Sequence, residues 1–140
     1  YRKYGKLGKE EILLHGTNEC NIKEILENDF SLTINAKHGT AYGKGIYFTN
    51  SIRKALEYSE RDKKTKYVII TRVYIGDIVP GTINMDIHPK MPNSDKRYDT
   101  SVDSPHIPIQ FIKKNNNQYN IIEIVHLVEL LLNQKLPFVI

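Results

Sequence analysis

The chain has one cysteine and no tryptophan. A single thiol excludes an internal disulfide and any multi-cysteine metal site, so Cys20 reads as a small residue packed near a helix start. Sparse cysteine also agrees with a reducing compartment, and an intracellular setting, cytoplasm or nucleus, is the expectation. No apolar run approaches the roughly 18 residues that a membrane span needs, so no membrane partner is expected. Charge of neither sign dominates. The formal net charge is +4, and the one dense basic run, Arg61-Asp62-Lys63-Lys64, contains an acid. Scattered lysines of this kind make a solvated surface, and they support a nucleic-acid partner only weakly. An initiating methionine is absent as well. The chain opens Tyr1-Arg2-Lys3-Tyr4-Gly5-Lys6 and reads as a fragment of a longer protein.

What is present is ordinary for a soluble globular domain. At 140 residues the chain is long enough for one domain over 1–140 with a modest core, and too short for two. A monomer is expected. No internal repeat is visible, and Asn115-Asn116-Asn117 reads as a polar turn between two strands. Ile12-Leu13-Leu14 is a buried strand stopped by Gly16. Asn21 with Glu24 three residues on reads as a capped helix start, and Ile22, Ile25 and Leu26 form its apolar face, which ends at Asp29-Phe30. Residues 31–44 form a polar loop, and Ile46-Tyr47-Phe48-Thr49 a short strand. Asn50 or Ser51 caps a second helix with Ile52, Ala55 and Leu56 on its apolar face. Tyr67 to Ile75 is the longest β-branched and aromatic segment. Pro80 to Pro108 carries five of the six prolines and reads as mostly irregular loop. Ile107–Ile112 and Ile121–Leu127 are the last two strands, and the apolar tail from Glu129 to Ile140 is a further helix or strand over the core. Strands and short helices alternate without a strand–helix–strand rhythm. That predicts an α+β domain with a mostly antiparallel sheet.

Gly43-Lys44-Gly45 stands before a strand. It is not the dinucleotide fingerprint, which follows a strand, opens a helix and has a third glycine, and nothing in the chain has the form of a Walker loop. The wider order is more specific: a strand ending in His15-Gly16-Thr17, an amphipathic helix, a loop, Tyr42-Gly43-Lys44-Gly45-Ile46-Tyr47-Phe48, and a helix ending in Tyr58-Ser59. This resembles the poly(ADP-ribose) polymerase superfamily, and within it the smaller mono-ADP-ribosylating members. Thr71-Arg72-Val73-Tyr74-Ile75-Gly76 is similar to the family's central strand. Arg97-Tyr98-Asp99-Thr100-Ser101-Val102-Asp103 is similar to the segment before its next core strand, so the resemblance covers roughly residues 11 to 127.

The resemblance implies the ADP-ribosyltransferase fold, with a split, mostly antiparallel sheet and short flanking helices. It implies NAD as substrate, no metal, and transfer of one ADP-ribose to a protein acceptor with release of nicotinamide. Nucleic acid as acceptor, and a catalytically weak or inactive interaction module, are the alternatives. The residue types suit the chemistry. The leaving group is a planar cationic ring that becomes neutral, so the site must grip it and hold the ribose for attack. By resemblance Tyr47 and Tyr58 sandwich that ring, as aromatic faces favour a cation. His15 hydrogen-bonds a ribose hydroxyl, Gly16 lets backbone approach the carboxamide, and Thr17 reaches the adenosine side. His38, in the loop expected to cover the donor, contacts the nucleotide. His88, His106 and His126 have no partners at ligand spacing and read as structural or solvated.

Two positions depart from the family pattern. Chain-elongating members carry a glutamate at the strand that follows the last loop. Tyr119-Asn120-Ile121-Ile122 puts Ile121 in its place, and an isoleucine can neither bond a ribose hydroxyl nor act as a base. Glu123, two residues on and on the same face of the strand, is the alternative acid. Ala55 stands where related domains usually place a serine that helps hold the carboxamide, with Ser51 one turn earlier. Weaker NAD affinity is the expectation.

Overall fold

A computed structural model describes residues 10–28, 41–59, 66–114 and 118–127. Seven strands form one sheet: β1 (Glu10–Asn18), β2 (Ile46–Thr49), β3 (Lys66–Tyr74), β4 (Ile78–Pro80), β5 (Thr100–Val102), β6 (Gln110–Lys113) and β7 (Tyr119–Leu127). Their order across the sheet is β4-β5-β6-β2-β1-β3-β7. Among the described residues two helices accompany them, α1 (Glu19–Asn28) and α2 (Ile52–Ser59). Every strand pair is antiparallel except β4 with β5. The predicted α+β class and mostly antiparallel sheet are therefore observed. The one parallel pair follows from chain length, because the long segment 81–99 lets the chain cross back before β5 begins.

The sheet has two halves. β1, β3 and β7 pair along most of their length, from Glu10↔Tyr74 to Asn18↔Lys66 and from Lys66↔Leu127 to Val73↔Tyr119. β2, β6, β5 and β4 form the other half. Between them, β1 and β2 are in register at one position, Leu14↔Thr49.

The core lies on one face of this sheet, where Leu13, Ile69, Phe48, Ile46 and Val73 meet Ile22 and Ile25 of α1. Each such buried aliphatic or aromatic side chain contributes roughly 1.5–3 kcal/mol. Leu26 is not among them. It is 65% exposed; α1, which begins at Glu19 rather than at Asn21, presents a narrower stripe, Ile22 and Ile25, to the sheet. Ser51 caps α2, its Oγ accepting from the Lys54 amide at 3.2 Å. On that helix Ala55 is fully buried, whereas Ile52 faces outward.

Three further sequence expectations are revised. β1 does not stop at Gly16 but runs on to Asn18. Its pairing with β3 is unbroken there, and a ladder satisfied on both residues overrides the glycine's weak propensity. Residues 80–108 are more ordered than their prolines suggest. The Met91 amide donates to the Lys96 carbonyl at 2.8 Å and the Tyr98 amide to Pro89 at 3.0 Å, making an arm closed by the Lys90↔Arg97 bridge. At its tip Asn93 takes a left-handed φ of 56°, which asparagine tolerates. Asp103 Oδ1 fastens the next loop, accepting from the amides of Ser104, Ile109 and Gln110 at 2.8, 3.0 and 3.1 Å. Third, the last strand starts at Tyr119, two residues before the predicted Ile121. The asparagine turn, the tail from 129 and most of the loop 31–44 lie outside the described residues.

Candidate active site

His15, Gly16 and Thr17 lie in the second half of β1, all buried, opposite Ile69, Val68 and Tyr67 of β3. Side chains alternate along a strand, so Leu13, His15 and Thr17 share the core face and Gly16 points to the other. On that other face α2 comes so close that a Cβ on residue 16 would collide with the Ala55 carbonyl oxygen. Glycine is thus required at 16 by helix packing alone. The same contact brings together Gly16 and Ala55, the two positions that the sequence links to one carboxamide.

His15 joins the two halves of the sheet. Its Nδ1 lies 2.7 Å from the Tyr47 carbonyl oxygen. A carbonyl only accepts, so Nδ1 carries the proton and donates. The ring also meets Phe48 edge-on, with centroids 5.8 Å apart. Burial pushes the imidazole pKa down from 6.5 to about 4, and the bond to the Tyr47 carbonyl opposes this only in part. His15 is therefore neutral at physiological pH, with Nε2 as the acceptor nitrogen. That is the polarity a hydroxyl donor requires.

Tyr47 is 7% exposed and tied to the turn before it. Its hydroxyl donates to the Gly43 carbonyl at 2.6 Å and accepts from the Tyr42 amide at 2.9 Å. Gly43 holds φ at 97°, a conformation that L side chains avoid, and a Cβ there would strike the Met85 carbonyl. Lys44 donates its amide to the same Met85 oxygen at 3.1 Å. The Gly43-Lys44-Gly45 signature is thus a strained turn fixed by Tyr47 on one side and Met85 on the other.

Ile121 sits on β7 opposite Thr71, which itself faces Leu13 on β1. Cross-strand neighbours share a face, so Ile121 is on the His15 side of the sheet and packs against the core. Two strand spacings separate it from β1, on the order of 10 Å. Glu123 is not beside it. The register shifts between Ile70 and Thr71, whose partners are Glu123 and Ile121, and this bulge leaves Ile122 as the extra residue. Glu123 accordingly falls on the opposite face with Ile70, and it is exposed. A regular strand would have placed both on one face; the extra residue undoes that.

His38 and the side chain of Tyr58 lie outside the described residues. Among the described residues no group of three or more His, Cys, Asp or Glu is placed to hold a metal ion. The sequence reading missed Lys113. It is fully buried, and its Nζ donates to the Tyr74 carbonyl, the Asp99 carbonyl and Thr100 Oγ1 at 3.0, 2.6 and 2.9 Å. Thr100 Oγ1 spends its own proton on the Ile75 carbonyl, so all three contacts need N–H donors and the ammonium supplies them. Burial lowers its pKa to about 7, against the pull of Asp99. A lysine in a fully buried strand carries no sequence signal of this role.

Comparison with known proteins places this arrangement. The family described as the poly(ADP-ribose) polymerase catalytic domain matches residues 1–123. The chain is 32% identical over 115 residues to protein mono-ADP-ribosyltransferase PARP12 of Mus musculus, covering 81% of this chain and 16% of that protein. It is 32% identical over 109 residues to PARP12 of Homo sapiens, covering 77% and 16%. With protein mono-ADP-ribosyltransferase PARP10 of Mus musculus it shares 29% over 113 residues, 78% of this chain and 12% of that protein. The chain therefore spans about a sixth or less of the length of these relatives. It belongs to the poly(ADP-ribose) polymerase catalytic-domain family.

Proposed function

We propose that this member of the poly(ADP-ribose) polymerase catalytic-domain family is an NAD-dependent mono-ADP-ribosyltransferase that modifies a protein acceptor. The observation that carries the reading is the His15 imidazole, neutral and held by the Tyr47 carbonyl at the junction of the two half-sheets. The donor site assigned on this basis contains His15, Gly16, Thr17 and Tyr47, with Tyr58 and His38 added by resemblance and Ile121 across the sheet. The relatives named as mono-ADP-ribosyltransferases support the class.

The residues divide the work. His15 Nε2 accepts a hydrogen bond from a ribose hydroxyl and orients the sugar. Tyr47, its own hydroxyl engaged with the turn, offers a ring to the nicotinamide. The bond between the nicotinamide nitrogen and the ribose carbon breaks, and the pair of electrons leaves with nicotinamide. A new bond forms from that carbon to an acceptor oxygen. An acceptor carboxylate already holds the electron pair it needs, so no base is required of residue 121. A sugar hydroxyl would need deprotonation, and Ile121 cannot provide it. One unit is transferred and the product is not extended.

Incubation with NAD and candidate acceptor proteins tests this, with nicotinamide release and intact mass as readouts. Single additions are expected, and His15→Ala is expected to lose both signals by about a hundredfold or more. A ladder of extended chains would overturn the Ile121 assignment, and undiminished activity of His15→Ala the donor site. Ala55 favours a second reading, a weakly binding or inactive module, since an alanine stands against Gly16 where related domains usually place a serine. Calorimetry with NAD separates the two. Absence of binding at millimolar concentration selects the module.

A further inference from the structure

The turn that fixes the Tyr47 hydroxyl is itself held by a lysine. β6 runs antiparallel to β2 and ends with Lys113 opposite Ile46. Gly45 allows this approach, since a Cβ there would strike Ile112 Cγ2 and the Lys113 carbonyl. Lys114 follows β6 directly, and its side chain reaches the turn. Its Nζ donates to the Met85 carbonyl at 2.8 Å and to the carbonyl of Lys44.

Those two carbonyls come from different segments. Lys44 is the middle residue of the Gly43–Gly45 turn, and Met85 lies in the loop that follows β4. The loop already bears on the turn, because the Met85 carbonyl accepts the Lys44 amide at 3.1 Å and leaves no room for a side chain at Gly43. Met85 is anchored in its own loop, its amide donating to the Thr82 carbonyl at 3.1 Å. One ammonium thus pins the turn to an anchored loop. The Tyr47 hydroxyl engages the same turn through the Tyr42 amide and the Gly43 carbonyl. The near end of the tyrosine is set by β2, and the far end by a turn that Lys114 holds in place.

The clamp is a strong one. Bonds from an ammonium are roughly twice as strong as those between neutral groups. Lys114 is partly buried, which pushes its pKa down to about 8 against the pull of Asp86, and it stays mostly charged at pH 7.

We propose that Lys114 is a positioning residue of the donor site: by joining Lys44 to Met85 it sets the turn on which the Tyr47 hydroxyl rests, and through it the plane of the ring offered to nicotinamide. The inference rests on the reading of Tyr47 as the ring that meets the leaving group. Lys114 acts through the turn and not on NAD itself.

Calorimetry on the full chain tests this with two ligands. Benzamide carries the nicotinamide carboxamide on an aromatic ring, and ADP-ribose lacks that ring. Lys114→Met keeps the aliphatic stem and removes the N–H donors. It should weaken benzamide about tenfold, the loss of one hydrogen bond to a charged group, and leave ADP-ribose within about twofold. Lys114→Arg retains charged donors and should recover most of the benzamide affinity. A lysine that merely holds the fold would lower both affinities together. Equal loss of both ligands in Lys114→Met, unchanged benzamide affinity, or a Lys114→Arg no better than Lys114→Met would overturn the inference and leave the donor-site reading standing. A wild type that binds ADP-ribose but no benzamide at millimolar concentration would overturn the reading of Tyr47, and this inference with it.

Discussion

Acid should destabilise this domain through two buried histidines as the pH falls below 6.5. The folded protein holds His15 at a pKa of about 4 and His88 at about 3, against 6.5 for an ordinary imidazole. The unfolded chain therefore takes up two protons near pH 6.5 that the folded chain refuses. The stability tied to neutral imidazoles is fully present above pH 6.5, and it is lost as pH falls toward 4 for His15 and 3 for His88. At pH 5 the unfolded imidazole is almost wholly protonated and neither folded one is. Each histidine then costs about 2 kcal/mol, about 4 kcal/mol together. That is a large share of the roughly 5–15 kcal/mol that holds a domain folded. Ordinary carboxylates titrate near 4 and contribute little above pH 5, while Lys113, lowered to about 7, adds less than about 1 kcal/mol to the wild type and to both variants alike. Denaturant unfolding at pH 7.5 and 5.0 measures the difference in the wild type, His15→Gln and His88→Gln. Glutamine keeps an N–H for the Tyr47 carbonyl and removes the titration, so each variant should show about half of the wild-type pH dependence. A wild-type difference below about 1 kcal/mol, or a His15 resonance titrating at 6 or higher by NMR, would refute the burial argument.

Gly16→Ala drives a methyl group into the Ala55 carbonyl, and overpacking of this kind costs about 1–3 kcal/mol, readable as a lowered Tm. Ala55→Ser restores a hydroxyl beside Gly16 and should tighten NAD about fivefold, the value of one hydrogen bond of about 1 kcal/mol, measured by calorimetry. An unchanged or weaker affinity would remove Gly16 and Ala55 from the carboxamide site. Glu123→Gln should leave transfer rates within about twofold, since an exposed group on the sheet face opposite His15 and Ile121 lacks the hundredfold or greater effect of a positioned base. A large loss would contradict the register of β7.

Much of the fold was legible in the sequence because its elements announce themselves locally. Ile46–Thr49 was read to the residue, since a glycine pair on one side and a helix cap on the other bound it. Tyr67 to Ile75, read from its β-branched run, agrees with the observed Lys66–Tyr74 to within a residue at each end. What escaped depends on contacts distant in sequence. β1 continues past Gly16 because β3 pairs with every residue to Asn18, and Gly16 is glycine because Ala55 of α2 presses on it. The arm 89–98 hides behind prolines whose neighbours still find hydrogen bonds.

The geometry of the candidate site divides in the same way. His15 and the Gly43–Gly45 turn could be found as motifs, but not the bond from His15 to the Tyr47 carbonyl, which ties together strands that pair at a single position. The bulge at Ile122 matters most. Side-chain parity along a strand is a sound rule only while the ladder is regular, and one extra residue inverts it for everything beyond. Without the bulge, Glu123 would lie on the His15 face two residues from Ile121, and an acid near the donor site would have to be weighed. With it, Ile121 alone of the two is on that face. On the proposal that Ile121 stands in the place of an elongating glutamate, its acidic neighbour is then no substitute.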